Sequence, residues 1–173
     1  MKARTLLCAF VCLVFAVPAI CGDAGEKSHT WCQIGGSWFA LAGGAPWTAT
    51  FSETSVFGGT LITQWTGGDG DWDGYCPGSV RYSNGFGTWT RKGPHTLLYT
   101  VVTFSLDPNG DVACIWKMSG WVTLDSGCDS GVQSGSVELF DRDSDPFTDE
   151  PFHWYPRDGE TAFVRMTVDP IHE

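Results

Sequence analysis

The sequence predicts an all-β domain of about eight antiparallel strands, and three observations predict it. Short runs rich in β-branched, aromatic and other apolar residues recur between clusters of Gly, Pro, Asn and Asp. No run carries a sustained helical period. Glycine supplies 22 of the 173 residues, which suits a chain that turns often.

The strands follow in order. Gly36–Leu41 is the first, Thr48–Glu53 the second and Thr60–Trp65 the third, with Phe57-Gly58-Gly59 turning between the last two. An aspartate-rich stretch, GGDGDWDGYCPG at 67–78, then interrupts the pattern. Val80–Tyr82 and Gly87–Arg91 read as one strand broken by Ser83-Asn84-Gly85. Gly93-Pro94 turns the chain into Leu97–Leu106. The stretch Asp107-Pro108-Asn109-Gly110 then returns it antiparallel, because Pro presets the first turn dihedral and Asn-Gly tolerates positive φ. Val112–Leu124, a turn at DSGCDSG, and Ser134–Phe140 come next. Asp141–Pro156 reads as a long loop and Thr161–Val168 as the last strand. Three strands alternate clearly. Leu98, Val102, Phe104 and Leu106 share one side, as do Val112, Cys114, Trp116, Met118, Val122 and Leu124, and Ala162, Val164, Met166 and Val168. One apolar face per strand suits a sandwich or a barrel, and plain hairpin succession favours an up-and-down barrel, which has no sheet edge.

Composition sets the compartment. Lys2 and Arg4, an apolar run from Leu6 to Ile20 and small residues near Ala19 and Cys21 read as a signal peptide over 1–21, followed by a single β-barrel domain at 22–173. This predicts a secreted or periplasmic protein. Lipid anchoring through Cys21 ranks below cleavage, because Ile20 stands where lipoprotein signals want a small residue. No later stretch is long and apolar enough to span a membrane. The formal charge is −10, and removing Lys2 and Arg4 from the 10 basic residues leaves 8 against 20 acidic ones. Such a chain is not expected to bind nucleic acid or an anionic membrane. Of seven cysteines, Cys32, Cys76, Cys114 and Cys128 lie clearly beyond the signal. Four cysteines in an exported domain point to two disulfides, with three pairings open.

Gly36-Ser37-Trp38 places a Gly-x-Trp on the first strand, and Gly87-x-Trp89-x-Arg91-x-Gly93 opens a block of strand, Asn-Gly turn and strand that ends at Leu124. In these blocks, about a third of the chain beyond 21, the sequence resembles the lipocalins, the wider calycin superfamily and small exported bacterial lipocalin-like proteins of unassigned function. The Thr-Asp-Tyr type of motif that lipocalins carry is absent, and Arg165 stands in for the late Arg that packs over their first-strand Trp. The resemblance implies a cup for a small apolar ligand.

Turns alternate between the two ends of an up-and-down barrel. Cys32, before the first strand, and Cys128, in the sixth-to-seventh turn, then fall at one end, and Cys76 and Cys114 at the other. This predicts the bridges Cys32–Cys128 and Cys76–Cys114.

The chemistry is sparse. Asp69, Asp71, Asp73 and Gly74 match the first half of an EF-hand loop, but Val80 stands where the bidentate Glu belongs, so only a looser Ca²⁺ site is a candidate. A solvated acidic loop explains the same residues. Asp141, Asp143 and Asp145 repeat the spacing without the glycine. No nucleophile elbow, zinc motif or phosphate loop is present. His153 with Asp149 or Glu150 is a candidate acid–base pair, against which loop packing is the simpler account. Nine tryptophans are the compositional anomaly. The leading expectation is therefore a non-catalytic binding protein. Its small apolar or amphipathic ligand would be lined by Trp38, Trp89, Phe104, Trp116 and Met118. The alternatives are a carbohydrate-binding domain using Trp72 with calcium on Asp69, Asp71 and Asp73, and a barrel enzyme of cyclase or isomerase type.

Overall fold

The computed structural model describes residues 31–42, 45–65 and 74–167. The expected signal peptide and the aspartates at 69, 71 and 73 lie outside these residues, as does Trp72. Nine strands are described: β1 (Gly36–Ala42), β2 (Ala45–Ser55), β3 (Gly58–Trp65), β4 (Arg81–Tyr82), β5 (Gly85–Arg91), β6 (Thr96–Leu106), β7 (Val112–Leu124), β8 (Ser130–Asp141) and β9 (His153–Arg165). They occupy eight positions around a closed antiparallel barrel. Each position pairs with the next, β3 passing to β5, and β9 returns to pair with β1, Trp38 lying opposite Arg165. β4 and β5 are one interrupted strand, since both pair with β6, through Tyr82 with Ser105 and Phe86 with Val102. Ser83 bridges the break: its N–H reaches Phe104 O at 2.8 Å and its Oγ accepts from Phe104 N at 3.1 Å. Closure pairs every strand on both sides except the two-residue β4, which pairs with β6 alone, and this arrangement removes long sheet edges.

The turn at 107–111 forms as the Pro-Asn-Gly spacing predicts. Gly110 takes a φ of 93°, and Asp107 Oδ1 accepts from Asn109 N and Asp111 N, both at 2.8 Å. Two predicted faces are reversed. On β6 the inner residues are Leu97, Tyr99, Val101, Thr103 and Ser105, all buried, so Leu98, Val102, Phe104 and Leu106 face outward. The reason is hydroxyl chemistry: Thr103 Oγ1 donates to Ser83 O at 3.0 Å and Ser105 Oγ accepts from Trp116 Nε1 at 2.7 Å, so both are buried with their polar atoms matched. The last strand starts at His153, inside the expected loop, which shrinks to residues 142–152. Phe163 is its buried residue, while Val164 and Met166 are about half exposed.

β7 and β8 approach closely at the facing pair Gly120 and Gly135. A Cβ at 120 would lie 2.1 Å from Ser134 O and 2.8 Å from Gly135 Cα. Gly120→Ala must therefore push the strands apart, and it is expected to cost about 1–3 kcal/mol in a urea melt. Gly93→Ala meets nothing within 4 Å and should be close to neutral. Equal losses in the two variants would rule out the close approach as the cause.

One end of the barrel is closed by residues 31–35, which run beneath the strands with Cys32 and Ile34 buried. Cys32 is bridged to Cys128 with a Cα–Cα distance of 5.3 Å, and its N–H donates to Pro94 O at 3.0 Å. Arg165 fastens the same end. Its guanidinium lies 4.4 Å above the Trp38 ring and donates to Gly35 O at 2.8 Å, Cys128 O at 3.2 Å, Gln33 O, and Asp129 Oδ1 at 3.0 Å. Trp38 Nε1 donates to Ile34 O at 2.9 Å, and Phe163 stacks on the ring at 4.8 Å. The Gly-x-Trp residue and the late arginine thus meet as the resemblance implied. At the opposite end Cys76 is bridged to Cys114, with Cα atoms 6.0 Å apart. Both predicted disulfides form.

Candidate functional site

The inner wall carries one aromatic-rich core cluster that runs from the closed end toward the opposite end. Toward the closed end, Phe51 meets Trp89 and Phe163 edge-on, at centroid distances of 6.2 and 6.0 Å. Their rings, with Trp38, Leu97, Val122 and Leu124, form the part of that core nearest the closed end. Toward the opposite end the wall carries rings from successive strands. Trp47 of β2 stacks on Trp65 of β3 at 5.7 Å, Trp65 meets Tyr82 of β4 at 5.9 Å, and Tyr82 meets Trp116 of β7 edge-on at 5.6 Å. β9 adds His153 and Tyr155, and Tyr75 stacks on His153 at 4.0 Å. Strand alternation places these rings. Trp47 shares a parity with Ala49 and Phe51, and Trp65 with Leu61 and Thr63, all of them buried or packed on the core. An aromatic band with polar ring edges can stack on a flat apolar molecule and hydrogen-bond its polar part.

The structure brings together four of the five expected lining residues. Trp38, Trp89, Trp116 and Met118 are buried in one core cluster on the inner wall. Phe104 is not among them, being on the outer face of β6 for the reason given above. Trp116 touches the aromatic band toward the opposite end, through Tyr82. Trp47, Trp65, Tyr82 and Tyr155 are further inner aromatics toward that end that were not among the expected lining residues. Trp47 follows Pro46, which set the expected start of β2 too late; extending the alternation of Ala49 and Phe51 back by two residues finds it.

His153, the candidate acid–base residue, is engaged in ring packing. Its ring packs against Tyr75 and Tyr155, and the Asp149 carboxylate accepts from Asp145 N at 2.8 Å. In the second aspartate row, Asp145 Oδ1 accepts from Phe147 N at 2.9 Å, and Asp143 lies 3.6 Å from Arg142. Among the described residues, three potential ligands that could hold a metal converge only at Cys32, Cys128 and His95. There the two sulfurs are bonded to each other, and His95 Nδ1 lies 3.0 Å from Asp125 O, where its N–H donates.

Two exposed turn carboxylates are held below the ordinary aspartate range. Asp107 is lowered chiefly by the N–H of Asp111, and Asp125 chiefly by the hydroxyl of Ser130. A lowered folded-state value means that the stabilisation is present above the ordinary value near 3.8 and is lost as pH falls through the lowered one. Asp107→Asn with Asp125→Asn should therefore lower the urea midpoint at neutral pH and converge on the wild type at about pH 2. A constant gap across that range would show that the two carboxylates act through something other than ionisation.

The geometry defines a disulfide-bonded protein built on a closed eight-stranded up-and-down β-barrel. No helix of the described residues is long and apolar enough to cross a membrane. No protein-family model matches the chain, and no curated protein or solved structure matches it.

Proposed function

We propose that this is an exported, lipocalin-like binding protein that holds a small apolar or amphipathic molecule at the aromatic end of its barrel, without catalysis. The observation that carries the reading is the continuous contact of Trp47, Trp65, Tyr82 and Trp116 on the inner wall, away from the end that residues 31–35 close. Rings at that spacing offer faces and edges to a flat guest. The meeting of Trp38 and Arg165 supports the lipocalin-like assignment. The two disulfides are compatible with a place outside the cytoplasm.

Two measurements test this. A native mass spectrum of the protein, purified from an exporting host without added ligand, should show an organic adduct. The neutral probe phenylnaphthylamine should brighten on binding and be displaced by that adduct once extracted. A bare mass together with no probe binding would end the reading. A calcium-sized increment removed by chelator would instead favour the metal-dependent carbohydrate alternative.

A further inference from the structure

The outer wall carries a furrow that the barrel interior does not use. In the register of β5, β6 and β7, Thr88 lies opposite Thr100, and Thr100 opposite Ser119. The same row reaches Thr60 on β3 and Ser136 on β8. Small hydroxyl side chains thus line up across five neighbouring strands, one at each strand spacing of about 4.7–4.9 Å. The next outward row on one side is Thr90, Leu98 and Trp121. On the other side it is Phe86, Val102 and Lys117. These flanking rows carry the larger side chains, so the surface is hollowed along the hydroxyls. Two adjoining depressions, of about 450 and 370 Å³, share Thr88, Thr100 and Ser119. Trp121 borders the first, and Phe86 and Phe147 the second. These three rings are 50%, 59% and 71% exposed, and they surround one groove. Such a patch, unlike scattered apolar residues, marks a binding surface.

The chemistry of the furrow selects its occupant. Its floor is polar, which disfavours a purely apolar guest. A hydroxyl both donates and accepts. Thr100 Oγ1 and Ser119 Oγ lie 3.1 Å apart, a bond that uses one of their two hydrogens and leaves the other for a ligand. Among the described lining residues Lys117 alone carries a charge, and its ammonium already meets the Glu138 carboxylate and Pro146 O. In a chain of formal charge −10 this stretch is neutral, and it complements a ligand that is neutral too. Neutral molecules that present hydroxyls at their edges and C–H faces to aromatic rings are carbohydrates. The strand spacing is also close to the length of one β-linked pyranose, so successive sugar rings meet successive hydroxyls.

We infer that this furrow binds a neutral glycan chain, Trp121 stacking on one sugar ring while Thr88, Thr100 and Ser119 hydrogen-bond its hydroxyls. The site is separate from the barrel interior and needs no calcium. Affinity electrophoresis tests it, in native gels containing hydroxyethylcellulose, laminarin, galactomannan or dextran sulfate. With chelator present, the wild type should be retarded by at least one of the three neutral glycans and not by dextran sulfate. Trp121→Ala should weaken that binding about tenfold or more, as for other aromatic anchors. Thr88→Val with Thr100→Val should weaken it about fivefold, through the lost hydrogen bonds. Trp121→Ala removes a half-exposed ring and should leave the fold intact. Both variants should therefore run as the wild type does in a glycan-free gel. They should also bind phenylnaphthylamine as it does, which separates this site from the interior one. If no form binds that probe but the glycan result holds, the interior reading falls and this one stands. No retardation in any neutral gel, retardation by dextran sulfate alone, or retardation lost to chelator overturns the inference. Binding that survives Trp121→Ala overturns it as well. So does a dimer in sedimentation that Trp121→Ala dissociates, which assigns the face to a second copy of the chain.

Discussion

Trp38→Ala is expected to destabilise the protein by about 3–5 kcal/mol, the range for emptying a large aromatic site in a core. Burial and two ring contacts are lost at once. The ring is fully buried, Phe163 stacks on one side of it, and the Arg165 guanidinium lies over it. Its N–H also fixes Ile34, so the segment that closes the barrel is loosened as well. Trp121→Ala provides the comparison, because that ring is half exposed on the outer wall; its loss should be under about 1 kcal/mol. Urea melts of both variants read the difference. Similar losses would mean that Trp38 is no keystone and that the closed end is held mainly by its disulfide and the arginine.

Replacing Cys32 and Cys128 together by serine is the second large effect. The bridge links residues 96 apart in sequence, for which loop closure predicts about 4.5–5 kcal/mol. The Cys76–Cys114 bridge spans 38 residues, and the same argument gives about 4 kcal/mol. The closed-end pair should therefore have the larger effect, by a margin of under about 1 kcal/mol. Chemical denaturation of the two serine pairs under identical conditions checks the order. A clear reversal would show that the Cys76–Cys114 bridge acts on the folded state, by tying down the segment before β4, and not only on the unfolded chain.

Much of this fold can be read from turn chemistry and cysteine placement. Asp107-Pro108-Asn109-Gly110 marks a hairpin because few other sequences tolerate its dihedrals, and one fixed hairpin sets the direction of its neighbours. With turns alternating between ends, the cysteines pair in one way, and the two bridges follow. Side-chain phase is harder. Hydrophobicity assigned the outer face of β6 to the core because Phe104 and Leu106 look more apolar than Thr103 and Ser105. The hydroxyls are buried because specific oxygens meet them, and those partners come from Ser83 and Trp116, distant in sequence. β9 misled in the same way. Phe163 packs against Trp38 from the other end of the sequence, and the runs around it give no sign of which neighbour it will find. The aromatic band was half visible. Its tryptophans stand out in composition, but their assembly into one contact chain depends on register between β2, β3, β4 and β7.

The pairing of Trp38 with Arg165 also bears on the order in which the molecule is assembled. The ring is shut by its first strand and its last, so a chain still being synthesised cannot complete it. Until β9 emerges, β1 and β8 each present an unpaired rim, and the partly made product is a curled ribbon open to strands of other chains. Contacts between the two extremes of a sequence are also slow to find. The hazardous interval thus comes when nearly all of the barrel exists and only β9 is missing. Shielding those two rims over that interval, by a chaperone or by delayed release, would govern yield more than the stability of the finished barrel.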